Sequence, residues 1–421
     1  MVRKLEAVIL AAGRSRRFRM NTPKIIQEVC GRPLVYYLIK QLKKKRYISK
    51  VILVLGYKAE AIRKDLEKYF GDLQFVCQKP LNGSARAVLA AKDKVAINSS
   101  DILVLYGDTL LLDDKIVDRL YRYHIKENNY ATFISCYTDT PHDLGRVILS
   151  ERGQFVAIKE NKDLTRREKH ISDINAGIYI FNKRVLFKTL PQVRKNTRKN
   201  EYFLTDVLGI MKKEGLKIGV LQLKSCRDIF LINRQKELVE AESLLRRKTL
   251  DKLIEKGVRI IDPHATFIYP EVNIGHDTII YPFTFIENNV KIGKYCRIGP
   301  FAHIRAFTQI KDKTEVGNFS EIVRSSLGRE VKMKHFSYIG DTHVGDKVNV
   351  GAGSVIANYD GKRKHKSYIG KSAFIGSNST LVAPVKVGKS SVTGAGSVVR
   401  KKVPPYTVVV GVPAKILRRK K

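Results

Sequence analysis

The apolar run EAVILAA, residues 6–12, empties into Gly13, Arg14, Ser15, Arg16 and Arg17, with Thr22, Pro23 and Lys24 a few positions further on. Small residues directly after a strand let main-chain N–H groups approach a triphosphate, because no side chain stands in the way. Fixed cations at Arg17 and Lys24 can then offset charge that builds on a phosphorus under attack. The chemistry these residue types support is displacement at a nucleotide phosphate. A second set lies downstream: His335 in KMKHFSYIGD, then Tyr338, Asn349 in VNVGAGS, and Asn358-Tyr359-Asp360-Gly361. An imidazole there can take the proton of an amine attacking a thioester. The same residues also have ordinary readings, His335 as a surface residue and the asparagines as internal ladders.

The elements that must position the first set alternate up to about Asn233. KVILVLGY, QFVCQ, DILVLYGD and NAGIYIF have the apolar content of strands, and PLVYYLIKQLKKK and KAEAIRKDLEKYF the spacing of helices. Such alternation predicts a mostly parallel α/β sheet covered on both faces, with ligands at the carboxyl ends of its strands. ELVEAESLLRRKTLDKLIEKG follows as one long exposed helix. From about Arg259 the period becomes six: aliphatic residues recur from Ile268 through Ile322, slip by one at Leu327 and again at Val344, and return after an insertion at Ile369. One inward aliphatic residue per face of a triangular coil makes this a parallel β-helix, interrupted by the NYDG insertion. A loop that breaks a rigid solenoid is a natural seat for function.

The combination around Gly13 resembles the signature of sugar-phosphate nucleotidyltransferases, Leu-Ala-Ala-Gly followed by a Gly-Thr-Arg-Met-like element and Pro-Lys. The resemblance extends through Gly31–Val35, Gln78 with Gly83 and Ser84, Tyr106-Gly107-Asp108, Gly145, Glu160, Asn175 and Asn233. It implies that Ala11, Ala12, Gly13, Gln78, Gly83, Ser84 and Tyr106 hold a pyrimidine nucleotide, and that Gly145, Glu160 and Asn175 hold the sugar. Asp108 and Asn233 would bind Mg2+, with Arg17 and Lys24 catalytic. Ser15 stands where a Gly is usual and Ser84-Ala85 where Thr-Gly is common. From about Leu5 to Val399 the chain is similar to bacterial bifunctional enzymes that acetylate glucosamine 1-phosphate and uridylylate the product. That resemblance implies a Rossmann-like nucleotidyltransferase domain followed by an all-β left-handed parallel β-helix that trimerises. It makes His335 a general base, gives Arg305, Tyr338, Asn349, Asn358, Tyr359 and Lys364 to the amino-sugar phosphate, and sets Ser377 and Ala395 along acetyl-CoA. Two departures stand out: Val323 replaces a phosphate-binding Lys of the family, with Arg324 adjacent as a candidate substitute, and the solenoid is roughly two coils shorter before Arg305.

The expected divisions are residues 1–232, a helical arm at 233–258, the β-helix at 259–409 and a basic tail at 410–421. The N-terminus lacks a cleavage site and no apolar run approaches the ~20 residues that span a bilayer, so a cytoplasmic protein with no membrane partner is expected. The five cysteines have no metal-ligand spacing and are expected to be reduced, mostly buried thiols without disulfides. The net charge of +39 is spread from Lys4 to Lys421 without an aromatic-interleaved motif, which argues for basic solvated faces and polyanionic substrates over nucleic acid. Two alternatives stay open: a nucleotidyltransferase for another sugar 1-phosphate, using UTP or dTTP, with a β-helix that only assembles, and a non-enzymatic interaction subunit of the same architecture.

Overall fold

The computed structural model describes residues 3–14, 18, 20–96, 99–141, 144–197 and 200–420. They divide into two compact units, Met1–Ala241 and Glu242–Lys421. The first unit opens with β1 (Leu5–Ala11), the small ladder of β2 (Glu28–Val29) and β3 (Arg32–Pro33), α1 (Leu34–Lys43), β4 (Ile48–Leu55), α2 (Ala59–Glu67), β5 (Gln74–Cys77) and α3 (Ser84–Ala90). It continues with β6 (Asp101–Tyr106), β7 (Thr109–Leu111), α4 (Ile116–Lys126), β8 (Ala131–Tyr137), β9 (Arg146–Leu149), β10 (Phe155–Lys159) and β11 (Asp173–Asn182). α5 (Lys183–Thr189), α6 (Thr205–Lys213), β12 (Ile218–Leu223) and β13 (Ile229–Leu231) complete it.

Every residue of β1 is buried, as an unbroken apolar run requires when both faces of a sheet are covered. β4 and β6 flank it in parallel, and β5 extends the parallel part beyond β4. The sheet is less parallel than the alternation predicted: β11 runs antiparallel to β6, to β8 and to β9. Helix α1 shows how the faces are closed, burying Leu34, Leu38 and Leu42 on one stripe. Because β1 and β6 are parallel neighbours, Ala11–Gly13 and Tyr106–Asp108 leave the sheet side by side.

Cys136 and Cys226 form a disulfide, contrary to the expectation of reduced thiols; Cys30 and Cys296 are buried, whereas Cys77 is exposed. The two partners lie 90 residues apart in sequence, so no local spacing announces them. Parallel pairing of β12 with β8 brings them together, and the Cys226 N–H donates to the Tyr137 carbonyl at 3.1 Å.

α7 (Gln235–Glu255) is not exposed throughout: in the second unit its Leu250 and Leu253 join the solenoid core with Val258. Beyond it, short strands stack into three parallel sheets, and Ile268, Ile286, Ile304, Ile322, Ile339, Ile356, Leu381 and Val399 form one buried inward column. Each coil closes by putting a corner residue in the left-handed region: Asp277, Phe283, Asn289, Tyr295, Phe301, Phe307, Lys313 and Phe319 have φ of 53–63°. None is β-branched, since branching at Cβ makes that conformation most costly. Buried hydroxyls complete the corners, as where Thr278 Oγ1 donates to the Gly293 carbonyl at 2.8 Å. At the far end Lys415–Arg419 turns back antiparallel on Thr407–Val410, so the basic tail is in part a strand. Among the described residues no helix is long and apolar enough to cross a membrane.

Alkylating the folded, non-reduced protein should label Cys77 and leave Cys136 and Cys226 unlabelled until a reductant is added, as read by peptide mass spectrometry; labelling of both without reductant would contradict the bridge.

Candidate active sites

At the carboxyl ends of β1 and β6 the first unit holds a cavity of about 1110 Å³. Of the residues singled out from the sequence, Ala11, Ala12, Gly13, Lys24, Gln78, Gly83, Ser84, Tyr106, Asp108, Glu160 and Asn233 all line it. Arg17 lies outside the described residues. Lys24, mostly buried in a single 3-10 turn after Pro23, sets its Nζ 2.5 Å from Asp108 Oδ2. Asp108 is fixed at the turn after β6 by Gly107, whose N–H donates to the Leu10 carbonyl at 2.9 Å. The antiparallel pairing of β7 with β13 carries the Ile232 N–H to the Asp108 carbonyl at 3.0 Å, and so delivers Asn233 beside Asp108 across a long sequence gap.

On the opposite wall, Gln78 is buried and its Nε2 donates to the Gly83 carbonyl at 3.0 Å. Gly83 has φ +117 and a Cβ there would lie 2.5 Å from Tyr202 N, so only glycine fits. The segment it touches docks through main chain: Tyr202 N–H donates to Asn82 O at 2.8 Å, Ala85 N–H to Tyr202 O at 3.0 Å, and Leu204 N–H to Ser84 Oγ at 2.9 Å. This docking brings Asn200, Glu201 and Phe203 into the cavity wall. Sequence reasoning missed them, because nothing near residue 200 signals contact with residue 83.

Gly145 and Asn175 stand behind the wall. The Asn175 N–H donates to the Gly145 carbonyl at 2.9 Å, a Cβ on Gly145 would lie 3.8 Å from Glu160 Oε1, and Asn175 Nδ2 donates to Tyr179 Oη at 2.5 Å. Burial pushes the Tyr106 hydroxyl up to about 12, against the opposing pull of its hydrogen bond with Ser84, so it remains a neutral hydrogen-bonding group at ordinary pH.

In the second unit the predicted residues fall on two adjoining sheets and on the corners that flank one of them. His335 is exposed at a corner, and Ser377 and Ala395 occupy the corresponding corners of later coils, each after the inward residue of its strand. Tyr338 lies on the adjoining sheet in register with Glu321, which receives Arg305 Nη1 at 2.9 Å. Tyr338 Oη donates to Asn358 Oδ1 at 3.4 Å. Asn349 sits on the neighbouring sheet, in register with Lys332 and Phe374. Tyr359 and Lys364 pair across the insertion, with Tyr359 Oη donating to the Gly361 carbonyl at 2.6 Å. Val323 is buried, and its neighbour Arg324 forks onto Asp341 through two hydrogen bonds of 2.7 Å.

Comparison with known proteins matches both units. A family profile described as a MobA-like NTP transferase domain matches residues 7–197. Profiles for the bacterial transferase hexapeptide (six repeats) and the hexapeptide repeat of succinyl-transferase match residues 271–306 and 368–401. The chain is 36% identical to the bifunctional protein GlmU of Fervidobacterium nodosum, over 98% of this chain and 96% of that one. It is 36% identical to the protein of the same name from Syntrophomonas wolfei, over 97% of each chain. The Thermotoga maritima protein is also 36% identical, over 97% of this chain and 96% of its own.

Gly83→Ala should swing the 200–204 segment off its dock, lower the melting temperature and weaken nucleotide binding by about tenfold or more, measured by isothermal titration below the melting transition; unchanged affinity would mean the wall does not depend on that approach.

Proposed function

The chain belongs to the family of bifunctional GlmU proteins, and from that premise we propose that it makes UDP-N-acetylglucosamine, acetylating glucosamine 1-phosphate in its second unit and transferring uridylyl from UTP in its first. The observation that carries this reading is a cavity at the ends of β1 and β6 lined together by Gly13, Lys24, Gln78, Asp108 and Glu160, to which phosphate, base, metal and sugar contacts are assigned.

The main-chain turn at Ala12 and Gly13 receives the triphosphate, Gln78 meets the pyrimidine edge, and Glu160 with Gly145 and Asn175 orients the sugar. Among the described residues the cavity is lined by the carboxylates Asp108, Glu160 and Glu201 and by the cations Arg14, Lys24 and Lys79. A triphosphate and a sugar phosphate arriving there bring negative charge that these cations cannot offset alone. Adjacent oxygen donors, the Asp108 carboxylate and the Asn233 amide, suit Mg2+, which takes a carboxylate or two and fills its remaining positions with water and phosphate oxygens. When bound it would neutralise phosphate charge. Lys24, drawn between Asp108 and the α-phosphate, stabilises the phosphoryl group while a sugar phosphate oxygen bonds to the α-phosphorus and the bond to pyrophosphate breaks; Arg17 is assigned the same task. No covalent nucleophile is required.

In the second unit His335 takes the proton from the amine of glucosamine 1-phosphate as its nitrogen attacks the thioester carbonyl of acetyl-CoA; the carbon–sulfur bond then breaks and coenzyme A leaves as the thiol. Arg305, Tyr338, Asn349, Asn358, Tyr359 and Lys364 hold the amino-sugar phosphate, and Ser377 and Ala395 lie along acetyl-CoA. The solenoid assembles as a homotrimer; the exposed, stacked rings of Phe283, Phe301 and Phe319, with centroids 4.8 and 5.0 Å apart, supply apolar surface to bury. Both co-substrates are cytoplasmic metabolites, which puts the protein in a compartment where a Cys136–Cys226 bridge is uncommon. A second reading, a uridyltransferase whose solenoid only assembles, is favoured by Val323, whose buried side chain offers no cation to a phosphate.

Supplied with glucosamine 1-phosphate, acetyl-CoA, UTP and magnesium, the protein should release both free thiol and pyrophosphate. Asp108→Ala should remove pyrophosphate release alone, whereas His335→Ala should remove thiol release and, until N-acetylglucosamine 1-phosphate is supplied ready-made, pyrophosphate with it, each by about a hundredfold or more. Pyrophosphate release by the wild-type chain only when N-acetylglucosamine 1-phosphate is supplied ready-made would overturn the acetylation half.

A further inference from the structure

The coils of the solenoid shorten by one residue twice in succession, and at the same corner. Ile304 to Ile310 spans six residues there, but Ile322 to Leu327 and Ile339 to Val344 span five. In the next coil this corner opens into the insertion between Ile356 and Ile369. The two tightened corners carry Arg324 (φ 46°) and Asp341 (φ 51°), stacked one coil apart. Arg324 Nε donates to Asp341 Oδ1 and Nη2 to Oδ2, each at 2.7 Å, a planar fork that fixes the carboxylate in orientation as well as place.

Asp341 holds both ends of the insertion. Its Oδ2 accepts from Asn358 Nδ2 at 2.6 Å, and its main-chain carbonyl accepts from the Ser367 N–H at 3.2 Å. An amide whose nitrogen is committed in this way has one remaining orientation for its oxygen, and Asn358 Oδ1 receives Tyr338 Oη at 3.4 Å. Gly340 makes room for the arrangement: a Cβ there would lie 2.5 Å from Tyr338 Oη and 2.5 Å from Asn358 Nδ2. The Arg324 fork holds the Asp341 carboxyl below the usual carboxylate range against the opposing effect of burial, with Asn358 and Lys364 adding to the lowering.

We propose that Arg324 and Asp341 are positioning residues for acetyl transfer: stacked on the two shortened corners, they set the amide of Asn358 and the hydroxyl of Tyr338 toward the amino-sugar phosphate. This rests on the acetyl-transfer reading of the second unit. The pair touches no substrate in this account, and Arg324 acts on the sugar site through Asp341.

The test uses the full chain, with the solenoid's own thermal unfolding as the control of its folding and uridylyl transfer from N-acetylglucosamine 1-phosphate as the control of the first unit. Asp341→Asn suits it, because asparagine tolerates the left-handed backbone as well as aspartate does; it turns the acceptor toward Asn358 into a competing donor and discharges the fork. It should lower kcat/KM for glucosamine 1-phosphate in thiol release by about tenfold or more, leaving KM for acetyl-CoA and the pyrophosphate rate at wild-type values. Arg324→Lys, which keeps the charge and loses the fork, should fall between it and wild type. Wild-type thiol release in both variants, or KM for acetyl-CoA rising in step with the loss, would overturn the positioning role. If Asp341→Asn fails to fold, seen as loss of the solenoid's unfolding transition, Arg324→Lys decides by the same readout. A wild-type chain that releases no thiol would overturn the acetyl-transfer reading, and this inference with it.

Discussion

A parallel ladder satisfies its own main chain only along the strands, so polar groups without ladder partners gather where strands end and where coils turn. Both units are built on such ladders, and both concentrate their chemistry at those places. In the first, the adjacent parallel strands β1 and β6 discharge a small-residue turn and a carboxylate into one space. In the second, the corners of the coil carry His335, Ser377 and Ala395 on one edge and Arg324 and Asp341 on another. The inward columns provide the rigidity: each fully buried Ile contributes about 1.5–3 kcal/mol, which offsets the cost of left-handed corners at phenylalanine and tyrosine.

Charge is distributed to suit this division. The chain has 79 Lys and Arg against 40 Asp and Glu, yet among the described residues the nucleotide cavity is lined by as many carboxylates as cations. A net positive charge of this size favours encounter with polyanions. Asp108 is partnered by Lys24 and Asp341 by Arg324, so both carboxylates are held in place before any ligand arrives.

Two chemistries on one chain impose a further requirement, that neither borrow residues from the other. The residues assigned to uridylyl transfer end at Asn233 and those assigned to acetylation begin at Arg305, with α7 and the first coils between them. Each unit has its own core, one under the mixed sheet and one along the solenoid axis, so a change in one site need not pass through the packing of the other.

Periodicity and turn chemistry are local properties, and the sequence alone determined what depends on them: the inward hexad column with both of its slips, the strands EAVILAA and DILVLYGD, the glycine turn, and the placing of Asp108 at a strand end. The tertiary structure decided what depends on summed register. Cys136 meets Cys226 because β12 pairs with β8, and Asn233 meets Asp108 because β13 pairs with β7. Glu201 and Phe203 reach the cavity because their segment hydrogen-bonds to the loop at Gly83. Arg324 finds Asp341 only because consecutive coils are shortened at the same corner, which turns residues 17 apart in sequence into stacked neighbours. A strand's side chains repeat over two residues and a coil's over about 18, so a pattern read along the chain fixes which way each residue points, and only the accumulated turns fix what it points at.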